Sequence, residues 1–280
     1  ITVLATTGVL IVLALLSVFL PVNDLNIAGM TMSVYNLISQ YILIIGSIVA
    51  LVFLAVAGNE KRAAAGLTRQ NWKSAVLIVL AFVGIYIVRT VVSVAVQGVS
   101  DGSGMQYVKE WAAMFKNPMM WLNIAALPIN YFFVFIAFFG EEYGWRYYLQ
   151  PVLQKRFGLR AGVIILGVVW GLWHIPDDLF YYTQTSGIQM IFAQQITCIS
   201  LGIFFAYAYM KTQNIWVPVC LHYLNNNLIP IISGTFSADV LENQTVSWKD
   251  LPVALVLNGL CFGFFLLADV FKKKEVQEEE

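Results

Sequence analysis

Two carboxylates stand side by side in FFGEEYGWR, directly after a long stretch without a charge, and Arg146 follows Glu142 by four positions. On a helix that spacing puts Glu142 and Arg146 on one face, with the glutamate on the N-terminal side, the better order for a helical ion pair. Glu141 is turned about 100° away and cannot share the arginine equally. One carboxylate is thereby held while the other stays free to exchange protons; the plain alternative is a pair of interfacial carboxylates at a helix end. The chain has only two histidines, His174 in VVWGLWHIP and His222 in PVCLHYLNNN, both in apolar helical runs. Trp170 lies four before His174 and Asn226 four after His222, so each imidazole has a same-face companion one turn away. A lone histidine in such a run is more often a packed core residue. Two out of two, beside a glutamate pair and an asparagine run, weaken that reading. Pro176 and Pro218 disturb the helices near these histidines, and lipid tolerates freed backbone groups only beside protein or a water-filled cavity. The expectation is a buried polar cavity holding a Glu, two His and an Asn.

A carboxylate and an imidazole acting on one water suit general-base and general-acid hydrolysis. A second imidazole with an Asn amide can donate hydrogen bonds to a carbonyl oxygen that becomes an oxyanion. No serine or cysteine stands in a recognisable nucleophile motif, so a water-attack hydrolase fits best. Glu141, His174 and His222 also match the ligand count of a catalytic zinc with water in the fourth position. The compact HExxH arrangement is missing, and on the residues alone Zn²⁺ stays open as the alternative to a site without a cofactor. Cys198, Cys220 and Cys261 fall inside apolar runs without a CxxC spacing and read as small core residues.

The elements that must carry these residues follow from composition. Of 280 residues, 59% are hydrophobic and only 11% are charged, where about 25% is usual in soluble domains; the mean hydropathy is +0.75. Sixteen basic residues against sixteen acidic ones leave no excess to hold phosphates, which excludes a nucleic-acid binder along with a disordered chain and a coiled coil. A bilayer core about 30 Å thick needs roughly 20 apolar residues at 1.5 Å each. Eight such runs are read near 2–20, 34–57, 74–96, 122–140, 161–174, 188–210, 215–232 and 251–270: an all-α polytopic membrane protein of about eight transmembrane helices, one domain over 1–280, enclosing an intramembrane polar cavity. Twelve of the sixteen basic residues then fall on one side, Lys61, Arg62, Arg69, Lys73, Arg146, Lys155, Arg156, Arg160, Lys211 and Lys272–Lys274. By the positive-inside rule that side is cytoplasmic and holds both termini. Asp24, Asp101, Asp177, Asp178, Asp239 and Glu242 fall opposite. The segment WAAMFKNPMMW is read as lying flat on the outer surface, and YYLQPVLQKRFG as an interfacial turn or helix. On these spans His222 lies about 10 Å deep and His174 about 20 Å. Meeting Glu141 near the end of the fourth span therefore requires tilted helices or a fifth helix that starts further out.

EEYGWR reads as EExxxR, WGLWH resembles FxxxH with Trp170 in the aromatic position, and HYLNN reads as HxxxN. In this order on separate spans, the three motifs resemble the family of CAAX-type proteases and bacteriocin-processing enzymes, over a core of about 122–230. The resemblance implies a helical intramembrane endopeptidase, with its site opening to the cytoplasm and a peptide or membrane-anchored protein as substrate. Carried over by motif position, Glu141 is the catalytic carboxylate, His174 helps it hold and activate water, and His222 with Asn226 forms the oxyanion-stabilising pair. Glu142 and Arg146 shape the site, while Trp170 in place of Phe bears on the pocket's shape. The family has been described both as metalloproteases and as metal-independent glutamate proteases; the second is the expectation here. The expected location is the bilayer of a bacterial plasma membrane. Two rival readings are a proton-coupled transporter, which would spread polar residues over repeated halves, and a non-catalytic scaffold or bacteriocin-immunity protein.

Overall fold

Apolar runs in lipid must satisfy their peptide groups internally, and helices do so within one segment. The computed structural model describes residues 2–20, 22, 25–27, 30–32, 34–100, 102, 105–234 and 243–272, and it is helical almost throughout. Asp24, Asp101, Asp239, Glu242, Lys273 and Lys274, which the charge argument uses, lie outside the described residues. Helix α1 (Thr2–Phe19) packs on α2 (Val34–Val56), with the short antiparallel hairpin β1 (Leu25–Ile27) and β2 (Met30–Met32) between them. Then come α3 (Asn59–Ala64), α4 (Trp72–Ser100), α5 (Gln106–Met114) and α6 (Pro118–Glu142). A π-helical segment, Tyr143–Leu149, carries α6 without a break into α7 (Gln150–Phe157). Helices α8 (Leu159–Trp173), α9 (Ile175–Phe180), α10 (Gly187–Thr212), α11 (Trp216–Ser233) and α12 (Asp250–Cys261) complete the bundle. Among the described residues four helical segments, Leu37–Val56, Trp72–Ser100, Pro118–Phe157 and Gly187–Thr212, are long and apolar enough to cross a membrane, and α1, α8 and α12 are shorter apolar helices.

Hydrogen bonds gather the chain ends into two groups. The 65–71 stretch reaches three helix ends: Tyr143 Oη donates to Ala65 O (2.9 Å), Asn71 Nδ2 to Thr212 O (2.9 Å) and Trp216 Nε1 to Leu67 O (3.3 Å). The end of α2, the start of α4, the π segment, the end of α10 and the start of α11 therefore share one end of the bundle, which carries Lys61, Arg62, Arg69, Lys73 and Lys211. At the other end Trp111 of α5 donates to Ile232 O of α11 (2.7 Å), and Val246 N to Ser186 Oγ (3.0 Å). The amphipathic piece expected to lie flat is thus partly α5, fastened to the end of α11.

Three sequence expectations change. The eighth run is not one helix over 251–270, because α12 ends at Cys261 and two 3₁₀ turns, Gly263–Leu267 and Asp269–Phe271, follow. Arg146 is not a surface charge of the basic side; it is fully buried. The fourth span, read as 122–140 with the glutamates and Arg146 continuing its helix, reaches further, since Pro118–Phe157 is a single 40-residue helical run. The last change resolves the depth mismatch. Beyond Glu142 the helix runs out to Phe157, turns at Gly158 with φ of +88°, and α8 returns along α7. The fifth helix therefore starts further out, and Trp170 rather than His174 meets Glu141.

The core centres on α10. Phe82 and Tyr86 of α4, Trp170 of α8, Phe204 and Phe205 of α10, Leu221 of α11 and Phe262 after α12 form one buried cluster. Helices α8 and α10 approach closely at Gly167, where an added Cβ would lie 2.6 Å from Ile199 Cα; at Gly202 the nearest atom would be 3.4 Å away. Small residues at such crossings let backbones touch, which drives helix association in lipid. Gly167→Ala should therefore destabilise the detergent-solubilised protein by about 1–3 kcal/mol, and Gly202→Ala by less than about 1 kcal/mol, measured by thermal unfolding. Equal effects would show that the crossing does not depend on Gly167.

Candidate active site

The π segment follows Glu141 and Glu142 directly and precedes Pro151, whose ring lacks the N–H an α-helix needs there. Such widened turns are frequent at functional sites. Within it Arg146 Nε donates to Glu142 Oε2 at 2.9 Å, the pair expected from the spacing. The other oxygen, Oε1, lies 2.9 Å from His222 Nδ1 on α11. Glu142 and Arg146 have no exposure and His222 has 3%, so this is a buried group of three, an ion pair with an imidazole hydrogen-bonded to it. Both terminal nitrogens of Arg146 lack a hydrogen-bond partner. The guanidinium instead lies against two rings, 5.3 Å from the Trp170 centroid and 5.5 Å from that of Phe205, a cation–π arrangement.

Glu141 has a different environment. It is half-buried, and its Oε2 accepts from Trp170 Nε1 (3.3 Å) and Trp145 Nε1 (3.5 Å). Indole donors are neutral, so no cation is paired with this carboxylate. Trp170 joins the cluster together. Besides Glu141 and Arg146, it packs edge-on to His222 (5.4 Å) and His174 (5.9 Å). His174, at the α8–α9 junction, is half-buried with Nδ1 2.8 Å from Trp170 O. Assigned as a donor to that carbonyl, Nδ1 leaves Nε2 as the basic nitrogen. Asn226 is exposed, and its Oδ1 accepts from Asn225 Nδ2 (2.9 Å). The structure thus brings Glu141, Glu142, Arg146, Trp170 and His222 into one contact network. It puts His174 beside that network through Trp170, and Asn226 one turn along α11 from His222.

Sequence reasoning missed several neighbours. The bond between His222 and Glu142 joins positions 80 apart, and nothing local signals it. Trp145 carried no motif weight. Asp177, read only as an outer loop charge, lies close enough to His174 and Glu141 to feel both; burial raises its carboxyl, His174 lowers it and Glu141 raises it. Among the described residues no three His, Cys, Asp or Glu side chains are grouped so as to hold a metal ion. Glu141, His174 and His222 therefore do not form a zinc-ligand set in this arrangement.

Asp178, in the α9 connection, is fully buried with neither carboxylate oxygen hydrogen-bonded. Burial first, then the Asp177 charge, pushes its pKa up to about 7. The folded chain therefore holds this proton more tightly than the unfolded chain. Stability from this group is full below about pH 4, falls as pH rises towards about 7 and is flat beyond. Asp178→Asn should remove that slope and raise the Tm at pH 8, with the two proteins converging near the unfolded carboxyl range. Parallel Tm profiles across this interval would count against the assignment. Separately, Glu142→Gln leaves Arg146 buried without its counter-charge and should cost about 3–5 kcal/mol. Glu141→Gln should stay within about 1 kcal/mol, both read by unfolding in detergent.

Residues 123–228, which hold all the motif positions, match the family described as Type II CAAX prenyl endopeptidase Rce1-like. A curated relative, CAAX prenyl protease 2 of Methanococcus maripaludis, is 27% identical over 125 residues, 41% of this chain. That match spans 45% of the relative's length. No solved structure matches the chain.

Proposed function

We propose, because residues 123–228 match the Rce1-like, type II CAAX prenyl endopeptidase family, that the chain is an intramembrane endopeptidase of that kind, cleaving a peptide or membrane-anchored protein. The observation that carries this reading is the division between the two glutamates: Glu142 is bound on both oxygens by Arg146 and His222, whereas Glu141 receives only indole N–H groups. A carboxylate left without a cation is the one able to take a proton from water.

In this reading Glu141 is the general base, and His174, with Nδ1 turned to the Trp170 carbonyl, presents Nε2 to the same water. Attack on the scissile carbonyl puts negative charge on its oxygen. His222, oriented by Glu142, and the Asn226 amide stabilise that charge, donors fixed in advance being worth most where water is excluded. The proton taken by Glu141 then passes to the leaving amine. Arg146 holds one oxygen of Glu142 and so fixes the other towards His222. No step is routed through a metal, since the candidate ligands are not grouped as a site.

Cleavage should be lost in both Glu141→Ala and His174→Ala, by about 10² or more each, in protein shown to be folded. The substrate is found by comparing peptides in membranes carrying the wild-type protein with those carrying Glu141→Ala. Full cleavage by either variant would overturn the assignment of Glu141 and His174. Inhibition by a chelator, reversed by Zn²⁺ with metal bound in stoichiometric amount, would overturn the metal-free route alone.

A further inference from the structure

A cavity of about 910 Å³ lies between α2, α6 and α11, within the size range of small-molecule sites. It is not lined by Glu141, Glu142, His174, His222 or Asn226. On α11 its lining runs through Trp216, Cys220, Tyr223 and Leu224, a face turned roughly 140° from His222 at 100° per residue. An aromatic wall closes the gap: Tyr223 packs on Tyr131 (5.1 Å) and on Phe138 (5.4 Å), and Phe138 lies against His222 (5.2 Å).

The cavity has two chemically distinct parts. Its body is hydrocarbon and aromatic, with Leu51, Leu54, Phe132 and Phe135, while the end where α2 gives way to α3 carries Asn59, Arg62, Thr68 and Arg69. Arg62 is half-buried; its Nη2 donates to Ala55 O (3.2 Å) and its Nε is buried without a partner. Arg69 is exposed at the same rim. Among the described residues neither guanidinium is paired with a carboxylate. This end belongs to the basic face of the bundle, where a bilayer surface presents its headgroups.

We infer that this cavity is a binding site for an anionic phospholipid of the surrounding bilayer, its phosphate on Arg62 and Arg69 and an acyl chain along the α2–α6–α11 body. A guanidinium pair with no carboxylate selects a phosphate, for which Arg geometry is well matched. The body selects a chain rather than a peptide, because an extended backbone there would leave its amide groups unpaired, whereas an acyl chain has none to satisfy. The site stands apart from the charged cluster and does not rest on the peptidase reading, since binding is measured without any cleavage.

The test is native mass spectrometry of the full chain in neutral detergent, titrated with phosphatidylglycerol, phosphatidylcholine of identical acyl chains, and glycerol phosphate. Phosphatidylglycerol should bind tightest and glycerol phosphate negligibly. Arg62→Ala with Arg69→Ala should weaken phosphatidylglycerol by about tenfold or more and phosphatidylcholine, whose choline cation already offsets its phosphate, by much less, so that the preference between the two is lost. Should the double variant fold poorly, Arg69→Ala alone, at an exposed position, should still reduce the preference. Ala55→Trp, which pushes a ring into the cavity, should weaken binding of both lipids. Equal affinity for the two lipids, or an arginine variant with the wild-type preference, would overturn the proposal. Competition by glycerol phosphate as strong as by the lipid would identify a free-anion site instead. Displacement of the lipid by a prenylated peptide that Ala55→Trp also excludes would make the cavity a substrate site.

Discussion

A carboxylate with no exposure to solvent has to find partners for both oxygens, and most of the arrangement around Glu142 follows from that. One oxygen is taken by Arg146 from the same helix and the other by His222 from α11. The first contact is local and needs only the helical spacing. The second ties two helices together across the bundle, and it fixes the rotation of α11, so that the following residues, Tyr223 and Asn227, turn to α6. A buried ion pair of this kind gains little over apolar packing, but removing one partner strands a charge. Its effect is to allow one arrangement of α6 and α11 and to penalise the others.

The arginine is the least conventional member. Its terminal nitrogens face rings rather than acceptors, and the ring nearest to it is that of Trp170. The same indole donates to Glu141 and packs on both histidines. A phenyl ring at this position could pack against the guanidinium and imidazoles but could not donate to the carboxylate. The departure from the aromatic residue of the family pattern therefore changes the polarity around Glu141 as well as the shape beside it.

How much of this was legible in the sequence differs by distance along the chain. The helical runs, the Glu142–Arg146 pair and the one-turn companionship of Trp170 with His174 depend on neighbours within four residues, and each is present. The run expected at 251–270 was read too long because hydropathy alone does not register where an α-helix gives way to 3₁₀ turns. The fourth helix was read short of Phe157 for a related reason: it was continued through the charges at 141–146, two of the three buried, but the stretch after them was left open as an interfacial turn or helix. The contact between His222 and Glu142, the place of Asp177 beside His174, and the cavity between α2, α6 and α11 all depend on tertiary packing. No spacing rule reaches them. The roles assigned to Glu141, His174, His222 and Asn226 rest on the motif resemblance and on chemistry, with the structure supplying their surroundings.

Counting charge in the cluster gives a last constraint. Arg146 is the one permanent cation, and two carboxylates lie within its neighbourhood, Glu142 in contact and Glu141 one helical position away. Asp177 adds a third carboxylate, near enough to feel both Glu141 and His174. Arg146 is committed to Glu142 by direct contact, and Glu141 has only neutral indole donors. Fixing Glu142 with an arginine therefore does more than hold a helix: it takes up the cluster's one permanent cation and leaves Glu141 without one.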